Sequence, residues 1–545
     1  MATMKSSLNW PWRRSATAKP ATRPPRRAQP PGATVFLIVA VCFAGLAGMV
    51  MGLGSFPLTI LIVGIIVAPA VLLMPATGLI SLLLILSVVV AGCLEYFLRV
   101  SQAHWIPSLL LAAMLVRVPL DALRPAPLVQ GSSRISLIGL LIGTFIAIVF
   151  AAALVNLAPV MQSLVGLKHY IFPLALVAAV AQSRIGRQYW LALLKGVPWL
   201  MLLQMPVCIY QYVFVEKAHA ATTMRAGAIS WDAVVGTFGG NPDGGGASGA
   251  LALFLCFGLV AVMALRRSAE ISAALARASY VAIAVSMLLA EIKVVIVFLP
   301  LAILVYQRKR ILKSFFSASI WALGTGLFVL TLFSAYNLIH WQIASDKPLD
   351  IEGMFSYVFK AEEDSRMYND MTGEVSRGGA LLLWADEQTS AGASPSEALV
   401  GNGPASSKYS SLYGNGTAAS RHAFTLTTSA ITMMLWDIGL LGVLVFLGIA
   451  GVAFLRGLAL SEAFESDPAM LAVSESVLVA LALVGAGLFY NNDGVNQPAV
   501  QVLLALCIGL VLVLDRQCLP QKSAVDPAGP RHDVRATAQA PVSAS

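Results

Sequence analysis

The chain has 545 residues, 58% of them apolar and 12% charged, with a mean hydropathy of +0.79 and a formal charge of +9. Soluble domains carry about 45–50% apolar and ~25% charged residues, so this composition excludes a cytosolic enzyme, a disulfide-stapled secreted module and a disordered scaffold. The 44 Gly and 28 Pro show no period, which excludes collagen. What remains is an all-α, polytopic integral membrane protein.

Residues 1–33 contain Lys5, Arg13, Arg14, Lys19, Arg23, Arg26 and Arg27 and no acidic residue. Rich in Pro and poor in apolar residues, they read as a disordered basic arm that the positive-inside rule keeps in the cytoplasm. No short apolar core with a small-residue cleavage site follows, so a signal peptide is not expected. Apolar runs long enough to span then begin near Thr34, Phe56, Gly78, His104, Ile135, Lys168, Gln188 and Ser248.

The next run, 278–306, is long for one crossing and basic on both flanks, with Arg277 before it and Arg308, Lys309, Arg310 and Lys313 after. Two short helices with Glu291 and Lys293 at their crest keep both flanks on the cytoplasmic side. The chain then reads as about 14 spans, some short or hairpin. The expected organisation is N-terminal membrane helices over 34–335, a large and partly helical periplasmic loop over 336–425, C-terminal helices over 426–514 and a disordered cytoplasmic tail over 515–545. Both termini lie in the cytoplasm. No repeat of 20–50 residues is visible.

Ionisable groups at membrane depth are costly and are functional candidates by default. Glu291 and Lys293 read either as a hairpin-capping, snorkelling pair or as an acid/base carboxylate beside an anion-binding ammonium. His104, His169, His219 and His340 fall at span ends without metal-binding spacing and read as interfacial polar groups. His422 follows Arg421 just ahead of a span, where a catalyst and a plain polar group fit equally. The stretch from Gly236 to Gly249 lacks the Gly-Lys-Ser/Thr of a nucleotide loop. It is either a flexible turn or a set of backbone N–H groups offered to a phosphate or sugar at a helix N-terminus. The six cysteines lack metal-ligand spacing, Glu362-Glu363-Asp364 reads as a solvated face, and there is no Asp-x-Asp.

Ser376-Arg377-Gly-Gly-Ala-Leu-Leu-Leu-Trp384, then Gly401-Asn402-Gly403-Pro404, then His422 and Trp436-Asp437-Ile-Gly439-Leu-Leu-Gly442 follow one another around the large loop. This order resembles the bacterial O-antigen ligase and polysaccharide polymerase family. Lys293 stands where many members have Arg; it keeps the charge and loses the bidentate fork. The resemblance covers about residues 236–444.

It implies a bacterial inner-membrane glycosyltransferase of surface-polysaccharide assembly, polymerase or ligase. The enzyme would transfer a glycan from undecaprenyl pyrophosphate to a sugar hydroxyl, metal-independent and without a cofactor. Lys293 and Arg377, with Arg421 as a further contact, are expected to meet the pyrophosphate. His422 or Glu291 is expected to take the acceptor proton. Partners would be the lipid-linked donor, membrane lipid and polysaccharide-assembly proteins, with no nucleic acid. A transporter or flippase of lipid-linked oligosaccharide and a nonenzymatic membrane subunit are the competing readings.

Overall fold

The computed structural model describes residues 73–123, 136–183, 185–216, 233–241, 247–290, 294–340, 368–369, 374–375, 377–390, 394–422 and 424–518. They belong to the larger of two units, Val71–Ser545. Eight of the described helices are long and apolar enough to cross a membrane: Ala76–Leu98, Leu137–Val155, Val160–Gln182, Arg187–Glu216, Ser248–Arg267, Ala430–Ala463, Pro468–Tyr490 and Pro498–Gln517. The chain is therefore an all-α membrane protein.

These eight are counted among the described residues, and the other expected spans lie outside them, are interrupted or are short. The runs near Thr34 and Phe56 lie outside the described residues. Trp105–Leu123 is interrupted by Arg117, Pro119 and Asp121. Ala273–Leu289 and Val295–Ile311 have 17 residues each, about 25 Å at 1.5 Å per residue and so shorter than a ~30 Å hydrocarbon core.

The helices run alternately between two ends. At the basic end, Arg267 pairs with Glu475, Arg308 donates to Ser461, Lys309 meets Glu465 at 3.3 Å, and Arg187 meets Asp467 at 3.6 Å. The run 278–306 is divided between two helices. Ser279 lies against Pro198, Phe298 stacks edge-on to Tyr490, and Tyr306 sits under Arg267. The first helix thus leaves the basic end and the second returns to it. Their crest, with Glu291 and Lys293, lies outside the described residues.

At the opposite end, called the loop end below, the chain makes its non-helical excursions. Phe315–His340 extends five residues further than its apolar run suggested. The next long helix starts at Ala430 rather than 426 because Ser429 and Thr432 form a reciprocal capping box. It continues to Ala463, and the last helix, Pro498–Cys518, passes the expected 514. Between them the described part of the loop holds helices Arg377–Thr389 and Pro395–Val400 and two antiparallel two-residue pairings, Tyr368–Asn369 with Glu374–Val375 and Tyr409–Ser410 with Gly414–Asn415.

Helices in lipid gain no hydrophobic drive to associate, so buried polar contacts and close packing must hold them. The 233–241 segment shows how. Gln211 accepts from Val235 N and Gly236 N at 3.0 and 2.8 Å, and Gln204 accepts from Thr237 N at 2.9 Å. Thr237 Oγ1 donates to Val88 O at 2.7 Å, inside the π turn Leu86–Val90, and Gln211 opens another π turn. The wider turns offset the helical register where the non-helical segment docks.

Candidate functional site

The long helix Ala430–Ala463 is broken at Gly439, whose φ of 66° and ψ of −173° leave the helical region. The break frees the carbonyl of Trp436, which an unbroken helix would pair with the N–H four residues on. The loop takes it instead: Asn402 N donates to Trp436 O at 2.8 Å. Gly401 sits opposite with φ of 77°, and a Cβ on either glycine would collide with the other segment's backbone at about 2.4–2.5 Å. Two glycines therefore let two backbones touch.

Asp437, fully buried, secures this junction. Its Oδ1 accepts from Ser407 N at 2.8 Å and Ser406 Oγ at 3.1 Å; its Oδ2 accepts from Ala405 N at 3.0 Å and Tyr170 OH at 2.7 Å. Four donors compensate a carboxylate that would otherwise be too costly to bury.

Behind the clamp lies a cluster of ionisable groups. Lys408 donates to His169 Nε2 at 2.8 Å and to Asn496 Oδ1 at 3.1 Å, while His169 Nδ1 donates to Val495 O at 2.9 Å. This pattern makes His169 a neutral imidazole with its proton on Nδ1. Burial pulls the Lys408 ammonium down to about 8, and the nearby Asp437 carboxylate opposes that shift. Lys168 is buried and sits 4.7 Å from the Trp105 ring centroid. Glu95 accepts from His104 Nε2 at 2.6 Å and Gly240 N at 2.8 Å through one oxygen.

The residues singled out in the sequence occupy separate positions here. Arg377 opens its helix, donates to Tyr490 O and lies 4.2 Å over the Tyr490 ring. Close by in sequence, Asp493 bonds Asn491 and Ala250 N, and burial raises its carboxyl to about 6. His422 Nε2 lies 3.2 Å from Glu387 Oε1, with its ring against Phe424 and Trp436. Arg421 is held by Glu397 through two contacts of 3.2 and 3.4 Å. Arg377 and Glu387 are on one helix, about 15 Å apart along its axis. The site thus has an Arg377 pole and a His422 pole rather than one point. Glu291 and Lys293 lie outside the described residues.

In and beside the described part of the glycine-rich stretch, several backbone donors are taken by side chains of the fold. The N–H groups of Val235, Gly236, Thr237 and Gly240 are spent on Gln211, Gln204 and Glu95, and Ala250 N at the following helix start is spent on Asp493.

Sequence reasoning passed over Glu95, Lys168, Lys408 and Asn496, and read His104 and His169 as separate interfacial groups. The missed signal was depth. A span starting at Lys168 puts that residue at the interface, whereas the helix begins at Val160 and carries Lys168 and His169 into its interior. Searched against protein-family models and against curated proteins, the chain matches none.

Proposed function

We propose that the chain is a membrane glycosyltransferase of surface-polysaccharide assembly, acting at the loop end as polymerase or ligase. One observation carries the reading: the separated motif halves, Gly401-Asn402-Gly403-Pro404 and Trp436-Asp437-Ile438-Gly439, meet backbone to backbone at the break in the long helix. His422 packs its ring on Trp436 at this junction, and one short helix leads from Glu387 beside it to the cation pole at Arg377.

In the proposed reaction the acceptor hydroxyl oxygen bonds to the donor's anomeric carbon. The anomeric carbon–oxygen bond breaks, and the polyprenyl pyrophosphate leaves with the electron pair. The hydroxyl proton passes to a base. Arg377 stabilises the charge that develops on the leaving group. His422, in an aromatic corner with Glu387, holds the acceptor sugar by ring stacking and hydrogen bonding. The separation of the two poles suits an extended glycan better than a small substrate. His422 or Glu291 takes the proton, and Lys293 is the second cation of the donor side, on the strength of their sequence position.

Membranes containing the chain, supplied with undecaprenyl-pyrophosphate glycan and chelator, test this by glycan product on gels. Arg377→Ala is expected to lower the rate about 10²–10³-fold, the usual cost of one preorganised donor. His422→Ala is expected to raise the KM for acceptor, and both variants to accumulate normally. Undiminished product from Arg377→Ala removes that residue from the reaction, and loss of product with chelator alone overturns the metal-independent route.

A further inference from the structure

Two lysines stand close together at the loop end with no carboxylate in contact with either among the described residues. Lys408 uses two of its three protons, on His169 Nε2 and Asn496 Oδ1. Lys168 contacts the face of Trp105, and none of its three protons has an acceptor among the described residues. Lys168 directly precedes His169, the residue that Lys408 contacts at 2.8 Å, so both lysines attach to one turn of the same helix.

The carboxylates within electrostatic reach are engaged elsewhere. Asp437 is saturated by Tyr170, Ala405, Ser406 and Ser407, and one oxygen of Glu95 is held by His104 and Gly240. A ring face compensates a buried cation weakly compared with an anion. The cluster is also reachable, because His104, Trp105, Lys408 and Asn496 all keep partial exposure around it.

We propose that Lys168 and Lys408 form an anion site that takes a phosphate or pyrophosphate group. Such a dianion offsets both ammonium charges at once and accepts the unused protons of each, which a point-charge lysine pair does without bidentate geometry. Asn496 and His104, on the rim, supply polar neighbours for the remaining oxygens. The proposal deepens the glycosyltransferase reading in one respect only: if that reading holds, the group is the phosphate moiety of the lipid-linked donor or product. The site itself stands on the two lysines.

The test uses the full chain in lipid nanodiscs. In one arm inorganic pyrophosphate is titrated calorimetrically. In the other, binding of undecaprenyl pyrophosphate is read by its protection of the chain against thermal unfolding. Saturable binding is expected in at least one arm. Lys168→Met and Lys408→Met each weaken it by about tenfold or more, the loss of one charge-assisted contact. Lys168→Arg and Lys408→Arg retain most of it, and Lys195→Met, paired with Glu270 at the basic end, leaves it unchanged. Binding in the lipid arm alone identifies a headgroup; equal binding of inorganic pyrophosphate identifies a free anion. Lys168→Met should melt at or above the wild-type temperature, since it removes a buried charge that donates no hydrogen bond among the described residues; where a Met variant fails to accumulate, the Arg and Gln variants at that position carry the comparison. Unaltered affinity in both Met variants, or no saturable binding in either arm, overturns the site. Neither measurement requires glycan transfer, so failure of the anion site and failure of the enzymatic reading are separable.

Discussion

Asp493 is the residue whose behaviour is easiest to isolate. Burial raises its carboxyl from an ordinary 3.8 to about 6, and hydrogen bonds from Asn491 and Ala250 N only partly oppose the shift. Because the folded state holds the proton more tightly, this group's stabilising contribution is present below pH ~4 and is lost as pH rises through about 6. Asp493→Asn is expected to flatten that part of the melting-temperature profile measured between pH 4 and 7 in detergent. An unchanged slope would mean that the carboxyl is ionised and solvated. Lys408 has the opposite sign. Its lowered value of about 8 makes the charged form a burden on the fold below pH 8, relieved as pH climbs toward 10.5. Residues of this kind were the hardest to read from sequence. Lys168 and Lys408 are distant in the chain, and nothing in either neighbourhood announces that His169 joins them.

At the scale of elements, the long helix broken at Gly439 is the feature on which the loop end depends. Gly439→Ala should cost about 1–3 kcal/mol, since a side chain there meets both a left-handed backbone and the facing backbone of Leu399 and Gly401. Gly451→Ala, in the same helix with open space around it, should be neutral or slightly stabilising. Paired thermal melts of the two variants give the comparison, and equal midpoints would refute the packing argument. Element identity was legible where apolar runs were long and uninterrupted, as in Ser248–Arg267 or Pro468–Tyr490. The run 278–306 was legible through its flanking charges. The Gly439 break was not, because a glycine in a helix is common and its φ is set by a partner loop far away in sequence. The motifs Gly401-Asn402-Gly403-Pro404 and Trp436-Asp437-Ile438-Gly439 were visible as strings, but their contact was not. In the described part of the glycine-rich stretch, Gln204 and Gln211, unremarkable in sequence, take the N–H groups of Gly236 and Thr237.

Across the whole molecule, the basic end and the loop end divide the labour. Ion pairs such as Arg267–Glu475 and Lys309–Glu465 tie helices at one end, and the clamp, the lysine pair and both poles gather at the other. With the basic end in the cytoplasm, a cysteine placed at Ser394 should react with an impermeant reagent in intact cells, and one at Ser314 should not. The reverse pattern would invert the orientation. Bond formation at the loop end is measured with purified chain in liposomes loaded with a radiolabelled undecaprenyl-pyrophosphate glycan and an acceptor sugar. Release of one undecaprenyl pyrophosphate for each glycosidic bond formed is expected, slowed about 10²–10³-fold by Arg377→Ala. Intact donor crossing the bilayer with no cleavage would contradict it and make the chain a transporter.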